Sequence, residues 1–153
     1  MNEEQLKKIK EITEQLITDL GFLAEVVVQS EEEQINIQIE SPEAAALIGF
    51  HGENLQAIQL VLSFMAHKAL GEWTRVNVNV GDYRQKREEQ LTKLALSLAT
   101  KAKFSGETQA IPNLSASERR IVHLALTNHP DVISESEGEG RERTLTIKPK
   151  VKP

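Results

Sequence analysis

Apolar residues recur at helical spacing from the start of the chain. Leu6, Ile9, Ile12, Leu16, Ile17 and Leu20 share one face, and Gly21 follows as a natural stop, which predicts an amphipathic helix. The period then changes. Phe22 to Val28 is apolar and β-branched, Ser30 to Glu33 reads as an acidic turn, and Gln34 to Glu40 alternates strictly through Ile35, Ile37 and Ile39. This predicts two strands joined as a hairpin. Ser41 reads as an N-cap with Pro42 at the first helical position of a short helix through Ile48. Gly49-Phe50-His51-Gly52 interrupts, and a second helix from Glu53 to Gly71 places Leu55, Ile58, Leu62, Met65 and Ala69 on one face. Val76, Val78 and Val80 alternate with Arg75, Asn77 and Asn79 in a third strand.

After Gly81-Asp82 a new unit begins. Tyr83 to Lys103 reads as one long helix with Leu91, Leu94, Ala95, Leu98 and Ala102 facing a core, stopped near Gly106. A short strand is expected within Thr108 to Leu114. A helix from Ala116 ends at Asn128-His129-Pro130, where proline forbids continuation. Val132 to Glu137 and Arg143 to Lys148 predict a closing hairpin across Gly138-Glu139-Gly140, with Leu145 and Ile147 turned inward. The expected class is α+β: two small α/β modules, residues 1–81 and 82–153, each with helices packed on a small sheet. No flexible spacer separates them.

Composition narrows the chemistry. With no cysteine there is neither a disulfide framework nor a thiolate metal site, and the composition suits a reducing cytoplasm. The longest apolar run, residues 44 to 48, is too short to span a bilayer, so no membrane insertion is expected. The net charge of −5 argues against indiscriminate polyanion binding, but it is unevenly spread. Residues 1 to 81 carry 5 Lys+Arg against 13 Asp+Glu, a net −8, whereas residues 82 to 153 carry 13 against 10, a net +3. Any electrostatic grip on a polyanion is therefore expected from the second half, through Arg84, Arg87, Arg119, Arg120, Arg141 and Arg143. There is no phosphate loop ending in Lys-Ser or Lys-Thr, no HExxH and no nucleophile paired with a base, so an enzyme, a cofactor and a metal are not expected.

Two places carry candidate binding chemistry. Ser115 and Glu118 stand in the capping-box relation, which puts Arg119 in the first helical turn and His123 one turn later on the same face. A guanidinium and an imidazole so placed can address one phosphate or ribose together. At the other place, Gly49 and Gly52 let the backbone approach a sugar-phosphate chain closely, with the amides of the following helix nearby. Phe50 can stack on a base or sugar, or serve as an exposed apolar contact for a partner protein, and His51 can donate a hydrogen bond, but neither brings a permanent charge. Lys86 reads as solvated and Trp73 as packing at the strand entrance.

The order helix, strand, strand, short helix, Gly-x-x-Gly, helix, strand, with Leu47 to Gln59 at its centre, resembles a bacterial (type II) KH domain over residues 1–81. Arg119 and His123 carry a resemblance to the R-three-H domain over residues 82–153. Gly81-Asp82-Tyr83-Arg84-Gln85-Lys86-Arg87 and Glu135-Ser136-Glu137-Gly138-Glu139-Gly140-Arg141 are similar to the subgroup in which it follows a KH domain. Together they resemble the Jag family (KhpB, SpoIIIJ-associated proteins), without that family's separate N-terminal Jag domain. The resemblance implies a cytoplasmic, non-enzymatic binder of single-stranded RNA, an RNA chaperone or post-transcriptional regulator linked to cell-envelope and division control. It assigns binding to Gly49, Phe50, His51, Gly52, Arg84, Arg87, Arg119, Arg120 and His123. Single-stranded DNA stays open as a second ligand, and a second KH protein or self-association as a partner. The alternative is an adaptor whose KH half docks another KH protein, with RNA secondary.

Overall fold

The computed structural model describes residues 1–151 and falls into two compact units, Met1–Arg84 and Gln85–Pro153.

The first unit opens on helix α1 (Glu3–Asp19), capped at Asn2 by a reciprocal capping box with Gln5. Its core face is Ile9, Thr13 and Ile17. Thr13 is fully buried because its hydroxyl donates to the Ile9 carbonyl at 2.8 Å. Strands β1 (Glu25–Glu31) and β2 (Gln34–Glu40) form the expected hairpin, but the pairing runs on through Ser30↔Ile35 and Glu31↔Gln34. The turn is therefore only Glu32-Glu33, with φ of 46° and 64°, rather than Ser30 to Glu33. Two left-handed residues suit a two-residue hairpin turn because their twist matches that of the strands. Helix α2 (Ala44–Ile48) starts later than expected, with Glu43 at the N-cap. Ser41 instead donates to the Leu23 carbonyl at 2.6 Å and accepts from the Glu43 amide at 3.2 Å, holding the turn before the helix.

A 3-10 turn (Phe50–Gly52) leads into α3 (Glu53–Leu70), which closes on Gly71 in the left-handed region, φ 78°. The return strand β3 (Arg75–Val80) pairs parallel to β2 in the order β1-β2-β3. Its register sets Ile35, Ile37 and Ile39 against Val76, Val78 and Val80, all buried in one core with the inner faces of α1 and α3. The opposite face of the sheet is amide-rich: Asn77 donates to Gln34 and Asn36, and Asn79 to Gln38. Ala66, not Ala69, is the fully buried alanine of α3.

Helix α4 (Tyr83–Ser105) begins in the first unit and supplies the second with Leu91, Ala95, Ala99 and Ala102 as its buried face. Leu94, expected inside, is 41% exposed, since the alanine line leaves it off the packed stripe. Strand β4 (Gln109–Ile111) is followed by α5 (Ala116–Leu126) and the hairpin of β5 (Val132–Glu137) and β6 (Thr144–Pro149). The antiparallel sheet has the order β4-β6-β5, which leaves β5 at an edge. Val122 and Leu126 of α5 pack with Leu145 and Ile147 of β6 in the second core.

Candidate nucleic-acid interface

In the first unit the Gly-x-x-Gly segment is fixed from both sides. Asn54 donates to the Ala46 carbonyl at 2.8 Å, tying α3 back to α2, and its side chain occupies the space beside Gly49. A Cβ on Gly49 would lie 2.6 Å from Asn54 Cγ, and one on Gly52 2.8 Å from the Tyr83 hydroxyl. Both glycines have positive φ, 71° and 79°, so the loop requires them for space and for conformation. Between them Phe50 is 73% exposed and stacks on His51 at 3.9 Å between centroids, with His51 at φ 50°. The result is an aromatic platform on a backbone turn.

Arg84 lies at the edge of the first unit's sheet. It donates to the Val78 carbonyl at 2.9 Å and to Gln59 Oε1 at 3.0 Å, while Gln59 also accepts from the Val78 amide at 2.9 Å. These bonds satisfy the outward backbone groups of Val78 on an edge strand. Burial, then the charge of Arg75, lowers the Arg84 pKa from its ordinary value. The guanidinium is engaged in these two bonds within the unit.

The second unit builds its site on α5 and β5. Ser115 accepts from the Glu118 amide at 3.2 Å and Glu118 Oε2 accepts from the Ser115 amide at 2.9 Å, which completes the predicted capping box. The other oxygen of Glu118 takes the Arg87 Nε proton at 2.8 Å. The two side chains are 14% and 11% exposed, so Arg87 locks α4 to α5 with its charge already matched. Arg119 donates to the Leu114 carbonyl at 2.6 Å, fixing the guanidinium beside the helix start.

His123 is held at both ring nitrogens. Nδ1 is 2.7 Å from the Ser134 hydroxyl and Nε2 is 3.0 Å from the Ser136 hydroxyl. Partial burial, then the charges of Arg119 and Arg143, lowers the pKa of His123, so the ring is neutral at pH 7. Arg119, Arg120, His123, Ser136 and Arg143 line one cavity of about 500 Å3. The helical spacing found Arg119, Arg120 and His123. Arg143, expected from the charge of the second half, joins them from the residue before β6, whereas the two serines come from β5, signalled only by polar residues at its alternate positions. Among the described residues there is no cluster of His, Asp or Glu able to hold a metal ion, and no helix is long and apolar enough to cross a membrane.

The two units thus present a Gly-x-x-Gly turn between two helices and an Arg119/His123 pair one helical turn apart, the pattern of a KH domain followed by an R-three-H domain. Comparison with known families agrees: the KH domain of the KhpA/KhpB type matches residues 7–80, and the R-three-H domain matches residues 89–149. The chain is 29% identical over 142 residues to RNA-binding protein KhpB of Clostridium symbiosum, covering 92% of this chain and 64% of that protein. It is 31% identical over 132 residues to the KhpB of Streptococcus pneumoniae serotype 2 (86% and 40%) and 30% identical over 126 residues to that of Bacillus subtilis strain 168 (81% and 61%). The chain belongs to the KhpB/Jag family. It spans between 40% and 64% of the length of these relatives.

Proposed function

We propose that this chain is a non-enzymatic, cytoplasmic binder of single-stranded RNA, with its binding domains at residues 1–81 and 82–153. The observation that carries the reading is the cavity where Arg119, Arg120 and Arg143 converge on a neutral His123. Three guanidiniums without an acidic residue in the lining form an anion site, and a planar guanidinium can hold a phosphate by two parallel hydrogen bonds. The Gly49 to Gly52 turn adds close backbone approach and the Phe50 ring, which suits unpaired bases better than a duplex. Arg84 and Arg87 act by positioning: one seals a sheet edge and the other anchors α5. The names of the curated relatives as RNA-binding proteins support RNA as the ligand, with single-stranded DNA the competitor to be tested. A role as RNA chaperone or post-transcriptional regulator in envelope and division control is the biological setting we propose. Titration of matched single-stranded RNA, single-stranded DNA and duplex RNA tests the reading. Tightest binding to single-stranded RNA supports it, and equal binding to duplex opposes it.

A second reading, a KH half that docks another KH protein or a second copy of this chain, draws on an apolar patch of the first unit. Trp73, 65% exposed, stacks on His67 at 4.0 Å and meets the Phe64 ring edge at 5.6 Å, with Leu60 and Val61 also exposed. Such a patch marks a contact surface. Light scattering of the chain with and without RNA tests it: self-association that depends on Trp73 and not on RNA favours this reading.

A further inference from the structure

His123 stands between two cavities. On one side is the arginine cavity; on the other is a cavity of about 290 Å3 lined by Leu126, Thr127, Val132, Ser134 and Lys150 among others. His123 lines both. Its Nε2 is tied to Ser136 of the arginine cavity and its Nδ1 to Ser134 of the smaller one. These serines are two residues apart on the edge strand β5, a rise of roughly 7 Å, comparable to one nucleotide of an extended single strand.

We infer that the smaller cavity is a second nucleotide subsite, taking the base adjacent to the phosphate held by the arginines, with Lys150 contacting the next phosphate. The inference rests on the RNA reading of the arginine cavity. Leu126 and Val132, 2% and 1% exposed, give the cavity an apolar floor for a base. Thr127 donates its hydroxyl proton to the His123 carbonyl at 2.8 Å, which leaves the oxygen as an acceptor for a base N–H such as that of uracil N3. Lys150 Nζ donates to the His129 carbonyl at 2.9 Å and keeps two further protons for a phosphate oxygen. Its backbone is pinned by a bond from its amide to the Asp131 carbonyl at 2.8 Å. The Asp131 carboxylate is paired with Lys103 at 3.0 Å, which reduces its opposition to a phosphate nearby. His123 then acts as the partition that sets the strand's step from one subsite to the next.

The test uses the full chain and a short oligouridylate, with Arg119→Ala as reference. Lys150→Gln should keep the melting temperature and reduce the log-log salt slope of binding by about 0.7, the value for one phosphate contact on a single strand. Thr127→Trp, which fills the cavity from an exposed position, should weaken binding roughly tenfold with the slope unchanged. If Arg119→Ala flattens the slope while Lys150→Gln and Thr127→Trp bind like the parent, the second subsite is wrong and the RNA reading stands. If Arg119→Ala also leaves affinity and slope intact, the RNA reading of this face fails and takes the subsite with it.

Discussion

Arg87 and Glu118, thirty-one residues apart, meet through a single hydrogen bond of 2.8 Å that joins α4 to the capping box of α5. One carboxylate closes the helix start through Oε2 and neutralises a guanidinium through Oε1. The helix that carries Arg119 and His123 is thereby oriented by an ion pair almost sealed from water.

Breaking that pair leaves one buried charge without its partner. Arg87→Ala should destabilise the chain by about 3 kcal/mol. Denaturant unfolding checks this, and RNA affinity measured well below the melting point should fall far less than for Arg119→Ala. An Arg87→Ala protein of unchanged stability and poor RNA binding would make Arg87 a direct contact instead.

The Gly-x-x-Gly turn separates conformation from recognition. Gly52→Ala forces a Cβ toward the Tyr83 hydroxyl at positive φ and should lower stability by about 1 to 3 kcal/mol. The double change Phe50→Asp and His51→Asp lies on the exposed side, so it should leave circular dichroism and melting nearly unchanged while weakening single-stranded RNA binding. Unaltered affinity would move the weight to the adaptor reading.

His123 provides a pH signature. Its pKa is lowered in the folded chain, so the unfolded chain takes up the proton first. Stability is full above about 6.5 and falls as pH drops toward the depressed folded value. Phosphate beside Arg119 and Arg143 removes part of the repulsion, so RNA binding should take up a proton and tighten over the same window. Both slopes should be smaller in His123→Gln, as melting curves and titrations across that range would show.

Arg119 and His123 should act as one unit. They line the same cavity, so removing either disturbs the phosphate position that the other needs. The losses for Arg119→Ala, His123→Ala and the double variant should be less than additive. Strict additivity would indicate two independent contacts.

Much of the fold was legible because periodicity reports burial directly. The Ile35-Ile37-Ile39 and Val76-Val78-Val80 alternations became the paired inner face of the sheet, and the Ser115/Glu118 spacing became the cap. Leu94 misled because a leucine at core spacing carries no mark of the alanines that let α4 pack closely. The turn before β2 is shorter than its acidic run suggests because Glu32 and Glu33 adopt positive φ, which glutamates rarely do. In the sites, helical spacing points to Arg119, Arg120 and His123, but the bonds of Arg84 to Gln59 and of Arg87 to Glu118 join residues far apart in the chain. Nothing local in Tyr83-Arg84-Gln85-Lys86-Arg87 distinguishes an arginine turned to Glu118 from one turned to solvent.

If the arginine cavity of α5, β5 and Arg143 holds the phosphates of single-stranded RNA, the salt dependence of binding by the full chain shows it most directly. The triple variant Arg119→Gln, Arg120→Gln and Arg143→Gln should keep its fold and lose about 0.7 of log-log slope for each phosphate contact removed. A variant with the same slope as the parent would contradict the account and place the electrostatic grip elsewhere on the chain.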